Sequence, residues 1–178
     1  MVEFALVAPM FFFIVFGGIE LGLMFRSYLA LENLSRSAAR IVSIERDNPD
    51  ADQAIIDRIS QQVDPLQGEV QSITIFHTDS LDGEVPPACT STGSFGNSCN
   101  TYVFDTPGDF TSLRSNGALG YPSQPTAAAG PNPAHPGRVA GDNVGIHIVF
   151  EYTYATGFFD TLTLSTTTVE VIEQDFTQ

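Results

Sequence analysis

Two cysteines, three histidines and a set of acids are the side chains in this 178-residue chain able to crosslink, hold a metal or move a proton. Cys89 and Cys99 lie ten apart in a stretch rich in Gly, Ser and Asn. A disulfide between them would close a short loop and contribute roughly 2 to 3 kcal/mol. A metal site is the rival reading, but two cysteines without a neighbouring histidine fall short of a zinc ligand set. Asp79, Asp82 and Glu84 flank Gly83 and carry the oxygen chemistry calcium uses, though not at EF-hand spacing. His77, His135 and His147 are scattered along the chain. Gly93-Ser94-Phe95-Gly96 is not a G-x-S-x-G elbow, no H-E-x-x-H occurs, and a phosphate loop would need a lysine where every basic residue is an arginine. The expectation is a protein that is not an enzyme, with no catalytic residues, no resident metal and no cofactor.

Two further carboxylates stand where charge is expensive. From Phe4 to Phe25 the chain reads FALVAPMFFFIVFGGIELGLMF, 22 residues with Glu20 as the only charge, and Glu3 sits just before it. A helix of that length spans about 33 Å, slightly more than a hydrocarbon core of about 30 Å, so a membrane span over 4–25 is expected. A soluble helix would need a polar face, and a signal peptide would need a basic flank and a cleavage site. Glu20 is then unfavourable by a few kcal/mol unless it lies at the interface, is protonated or is paired with another subunit. A boundary position near Arg26 is the simpler alternative. Pro9 would kink this helix or loosen one of its hydrogen bonds unless the helix begins near it. Gly17, Gly18 and Gly22 leave room for another helix to approach closely.

The helix is expected to continue through RSYLALENLSRSAARIVSIER, which lacks Pro and Gly. Leu31, Leu34, Ala38 and Ile41 recur at spacings of 3, 4 and 3, with Met24 one heptad before Leu31, and form one apolar seam. Glu32 and Arg36 flank it four apart, in the favourable order. The upper half of such a stem has three options: its own domain, neighbouring stems, or both.

Charge divides the chain in the same place. Residues 1–46 balance four acids with four arginines, whereas 47–178 carry seventeen acids against Arg58, Arg114 and Arg138, which accounts for the whole net charge of −14. Surfaces this acidic repel phosphate, so nucleic acid is excluded as a partner and anionic lipid is disfavoured. Two parts are expected: a helical stem over 1–47 and an acidic domain over 48–178.

In the domain, Asn48-Pro49 caps a short helix with Asp50 and Asp52 in its first turn and Ala51, Ile55, Ile59 and Val63 on one face, ended by Pro65. A strand follows over Glu69–His77, with Ile73 and Ile75 on one side. The clearest alternation runs from Val144 to Tyr154, and after Gly157 a Thr- and Val-rich run from Leu162 to Glu173 is placed as its hairpin partner. The apolar phase of that run switches from even (Leu162, Leu164) to odd (Val169, Val171), so a bulge near Thr166 is expected. The fold class is α+β: a long helix, then a small, mostly antiparallel sheet. Between the strands, 80–143 holds eight of the eleven prolines and is expected to be a long Pro- and Gly-rich loop, with Thr101–Asp105 as a candidate short strand within it. GYPSQPTAAAGPNPAHPG at 120–137 is taken as its outermost, partner-contacting part, with a surface or host receptor as the candidate partner.

The run VEFALVAPMFFFIVFGGIELG at 2–22 resembles the signature of the TadE-like proteins, minor pilins or pseudopilins of the tight-adherence branch of type IV pilus systems. Val2-Glu3-Phe4-Ala5-Leu6, Pro9 and Phe16-Gly17-Gly18-Ile19-Glu20-Leu21-Gly22 carry the resemblance, and Ser37-Ala38-Ala39-Arg40 is similar to the helix that follows. It implies a pilin-like fold, and for Glu3 the role of neutralising a neighbour's terminal amine inside an apolar bundle. It also implies a basic leader cut after a glycine, four residues before the glutamate. Only Met1 and Val2 precede Glu3 here, so either further residues lie upstream or processing differs.

Arg26, Arg36, Arg40 and Arg46 all follow the span, which by the positive-inside rule alone puts the domain in the cytoplasm. Cysteine usage points outward, and a basic leader would reconcile the two, so the domain is placed outside. The expected function is a subunit stored in the cytoplasmic membrane that assembles with other pilin-like subunits through its helix into an extracellular filament. Its packing residues are then Glu3, Pro9, Gly17, Gly18, Glu20, Gly22, Arg26, Leu31, Leu34, Ala38 and Ile41. The alternative is a tethered extracellular binding domain that does not polymerise.

Overall fold

A computed structural model describes residues 2–45, 51–64, 66–78, 80–89, 99–104, 106–110, 113–115, 118–119, 143–157 and 160–172. The first element, α1 (Val2–Glu45), is one helix of 44 residues that runs through Pro9. No proline follows until Pro49, and the three glycines in between do not interrupt the helix. At about 1.5 Å per residue α1 is roughly 66 Å long. The cap expected at Asn48-Pro49, Asp50 beside it and the stop at Pro65 lie outside the described residues. The helix they were to bound is present as α2 (Ala51–Val63), with Ala51, Ile55, Ile56, Ile59 and Val63 buried. Its apolar face follows from the i, i+4 spacing.

The strands are β1 (Gly68–Thr78), β2 (Cys99–Phe104), β3 (Leu113–Ser115), β4 (Ala118–Leu119), β5 (Asn143–Tyr152) and β6 (Leu162–Val171). They form one sheet in the order β4-β3-β2-β1-β5-β6 in which every neighbouring pair is antiparallel. The architecture is thus α+β, with the long helix and α2 laid on one face of the sheet. Val144, Ile146, Ile148, Phe150 and Tyr152 of β5 share that face with Val70, Ile73 and Ile75 of β1, and they meet Leu31, Leu34, Ala38, Ala39 and Val42 of α1 and the apolar stripe of α2. The upper half of the stem is therefore a wall of the domain's core, as one of its three options required.

Two expectations about the sheet are corrected. Segment 80–143 is not one long loop. It contributes β2, β3 and β4, which extend the sheet from the free edge of β1. The short strand expected at Thr101–Asp105 is present as β2, which begins two residues earlier, and Asn100 Nδ2 and the Tyr102 hydroxyl both donate to Asp52 Oδ2 of α2, each at 2.7 Å. Residues 120–142, with the whole stretch taken as the outer contact, lie outside the described residues.

The bulge near Thr166 is also absent. The β5–β6 register runs without a slip from Asn143↔Val171 to Tyr152↔Leu162, and the irregularity lies in β1, between Val70 and Ser72. The apparent change of phase arises because β6 is apolar on both faces. Leu162 and Leu164 pack on the main core, whereas Val169 packs on the opposite face against a second cluster of Phe76, Cys89 and Cys99.

That second cluster contains the Cys89–Cys99 disulfide, with Cα atoms 6.0 Å apart. It joins a 3-10 turn (Pro87–Cys89) to the start of β2 and brings Val85 and Cys89 over the sheet. Phe76 lies across Gly145, its partner on β5, where a Cβ would overlap the ring.

Candidate functional site

The stem changes character at Glu20. Below it, Phe4, Leu6, Val7, Met10, Phe11, Phe12, Phe13, Ile14, Val15, Phe16 and Ile19 are all exposed, around the whole circumference of the helix. The apolar window of α1 has a mean hydropathy of 2.1 and only 6% of it is buried among the described residues. A core helix would be mostly buried, and a fully apolar helix left bare is suited to lipid or to other helices. A Cβ placed on Gly17, Gly18 or Gly22 meets nothing within 4 Å, so these glycines open onto free space. Glu3 is exposed at the lower end.

Above Glu20 one side of the helix is closed by the domain. Ser27, Leu31, Leu34, Ser35, Ala38, Ala39 and Val42 are buried, Met24 and Ile41 are partly so, and Ser35 Oγ donates to Thr168 Oγ1 of β6 at 2.9 Å. Leu31, Leu34 and Ala38 of the seam are buried against this chain's own α2 and sheet, and Ile41 is partly buried there. The other side remains open: Leu21, Phe25 and Leu29 are exposed, and so is Arg26. There the apolar surface gives way to the ion pair between Glu32 and Arg36.

Glu20 marks the boundary, and its side chain is only 2% exposed. Its carboxylate accepts two backbone N–H groups from the turn between β5 and β6: Ala155 donates to Oε2 at 3.3 Å, and Thr156 donates to Oε1. Charge-assisted bonds of this kind are stronger than neutral ones, and two adjacent amides form a small anion-binding nest. The partner that the carboxylate needed is therefore in its own chain. Arg26, taken with Glu20 as the mark of a membrane boundary, is exposed. Sequence reading missed this clasp, yet a signal was present. Continuing the seam downward in steps of 3 and 4 leads from Leu31 through Ser27 and Met24 to Glu20, on the side that faces the domain.

The surroundings of the clasp are tied together by other bonds. Tyr152 OH donates to Gln67 Oε1 and Thr153 N–H to Gln67 O, each at 3.2 Å, and the rings of Tyr152 and Tyr154 meet edge to face at 5.2 Å. Burial pushes the Tyr152 phenol up, and the Glu20 carboxylate and Tyr154 add to the effect.

Elsewhere the chemistry is structural. Asp82 Oδ1 accepts from Glu84 N–H at 3.0 Å around Gly83, whose φ is +78°, and that bond together with Ser80 holds the Asp82 carboxyl below its ordinary range. Asp79 and His135 lie outside the described residues, and among those described no three His, Cys, Asp or Glu converge on a metal position. On the sheet face away from the helices, a depression of about 290 Å³ is lined by Ser72, Thr74, Val85, Thr101, His147 and Val149, among others. His147 Nδ1 lies 2.8 Å from Thr167 Oγ1, and burial pushes the imidazole down toward its neutral form.

A bare apolar helix long enough to cross a membrane carries a small α+β domain, with the junction fixed by a buried carboxylate. Residues 1–40 match the family model described as TadE-like protein, so the matched segment is the bare lower stem and most of the seam above it. Neither a curated protein nor a solved structure matches the chain.

Proposed function

We propose that this protein is a TadE-like subunit that is held in the cytoplasmic membrane with its acidic domain outside, and that assembles through the lower half of α1 into an extracellular filament as a minor or structural pilin. The observation that carries the proposal is the division of the stem at Glu20. The TadE-like match covers a helix whose lower half is apolar all round and bare, while its upper half is already packed.

In lipid the bare half is satisfied by acyl chains. On assembly it exchanges them for neighbouring stems, where Gly17, Gly18 and Gly22 allow backbones to come close. Glu3 sets register in that bundle, because an unpaired carboxylate among apolar helices is costly. Leu31, Leu34, Ala38 and Ile41 have no part in the subunit contact, since the domain covers them. The acidic domain is displayed on the outside, with the 80–143 segment as the candidate contact to a surface or host receptor.

Glu3→Ala tests the assembly step. The variant is expected to remain in the membrane fraction at normal levels while disappearing from filaments. Normal incorporation of the variant would remove Glu3 from the mechanism.

A further inference from the structure

We infer that the β5–β6 turn held by Glu20 lies at the boundary between acyl chains and headgroups of a phospholipid bilayer, so that the domain has a membrane contact of its own beside the stem. The inference rests on the membrane-anchored reading of α1 and adds a surface to it. Its first support is height. The two N–H bonds from Ala155 and Thr156 to the Glu20 carboxylate fix the turn at the level of residue 20 on the helix.

Its second support is length. From Phe4 to Ile19 there are 16 residues. They span about 24 Å, whereas a hydrocarbon core is about 30 Å thick. With Glu3 at the lower boundary, the upper boundary falls about four residues above Glu20. The exposed apolar residues Leu21 and Phe25 on the open side of α1 agree with that depth. The turn therefore lies at or just inside the level where the hydrocarbon ends.

Its third support is the chemistry of the turn. From Tyr152 to Phe159 the chain carries no charged side chain, in a protein of net charge −14. Ala155 and Gly157 are exposed, and Tyr154 is half-buried beside them. The Glu20 carboxylate and the Ala155 and Thr156 amides satisfy each other in the clasp, and Asp160, the one acid within the connection, is exposed and accepts from Thr161 N–H at 3.0 Å. Tyrosine at such a junction is common because its ring suits the boundary between acyl chains and headgroups. The acidity of the domain selects a zwitterionic surface over an anionic one.

The chain has no tryptophan, so single tryptophans can report depth. The full-length protein is reconstituted into phosphatidylcholine vesicles containing lipids brominated either near the carbonyl end or at mid-chain. Phe13→Trp reports the span, and Ala155→Trp and Thr153→Trp report the turn. Leu81→Trp serves as the distant control, because it lies beyond the Thr78 end of β1, whose Gly68 end pairs with Tyr152. The inference requires Phe13→Trp to be quenched by mid-chain bromines, and both turn reporters to lose about half their emission to the shallow ones, while Leu81→Trp is unaffected. Adding Glu20→Ala should weaken the quenching of the turn reporters and leave that of Phe13→Trp unchanged. If Phe13→Trp is quenched and both turn reporters behave like Leu81→Trp, the inference is overturned and the anchored stem survives. If Phe13→Trp is not quenched either, the membrane reading falls and the inference with it.

Discussion

The backbone N–H of Thr156 donates to the carboxylate of Glu20, 136 residues earlier in the chain. With Ala155 donating to the other oxygen, this contact sets the height of the sheet on the stem and separates the packed part of α1 from the bare part. It makes Glu20 a positioning residue for the domain, whatever else the stem meets.

Glu20→Gln keeps the shape but leaves one amide facing an NH2 group instead of an oxygen. A lost charge-assisted bond at a buried site costs about 1 to 3 kcal/mol, so exchange of the Ala155 and Thr156 amides should accelerate between about 5- and 150-fold. Thr156→Val keeps the backbone donor and removes the hydroxyl that lies against the same carboxylate, so it should accelerate exchange of these amides by less than Glu20→Gln does. Hydrogen exchange followed by mass spectrometry reads both variants.

Gly145→Ala should destabilise the domain by about 1 to 3 kcal/mol, because the added methyl must displace the buried ring of Phe76. Gly83→Ala is a useful contrast, since a Cβ there meets nothing within 4 Å and only the left-handed φ of +78° resists it. Urea unfolding curves should put Gly145→Ala at the lower midpoint with an unchanged slope.

Much of this was legible in the sequence because strong periodicity survives folding. The helix, the seam, the apolar face of α2 and the β5–β6 hairpin all follow from spacings of 3 to 4 or of 2. What escaped has one physical cause: polar residues satisfied by distant partners look like loop or like cost. Asn100 fell outside the strand read at Thr101–Asp105 because its polar side chain is satisfied only by Asp52, and Glu20 looked like a carboxylate in need of another subunit until the turn at Ala155 and Thr156 met it. Val169 misled in the opposite way, since an apolar residue out of phase marks a second buried face as readily as a bulge.

Burial favours the neutral form of His147, so its folded pKa lies below the unfolded value of about 6.5. In the window between those two values the unfolded chain binds the additional proton, and stability rises with pH there. The contribution is fully present above about pH 6.5 and is lost as pH falls through the folded value. His147→Gln should flatten the slope of unfolding free energy against pH in that window. A slope unchanged in the variant would assign it to another group.

Reduction of Cys89–Cys99, or a Cys89→Ala/Cys99→Ala double variant, should cost roughly 2 to 3 kcal/mol from loop closure alone. The two half-cystines are buried with Phe76 and Val85, so the loss should appear at that end of the sheet first. Exchange in β2 should rise before exchange at the Glu20 clasp does.

The central claim is that the bare half of α1 carries this subunit from membrane to filament. The most direct measurement is to shear cells gently, separate released filaments from membranes, and locate the chain and its amino terminus in each fraction by intact mass. The account predicts a processed chain in the filament fraction alongside a membrane pool. An unprocessed chain confined to membranes would contradict it and would leave the stem as a permanent tether.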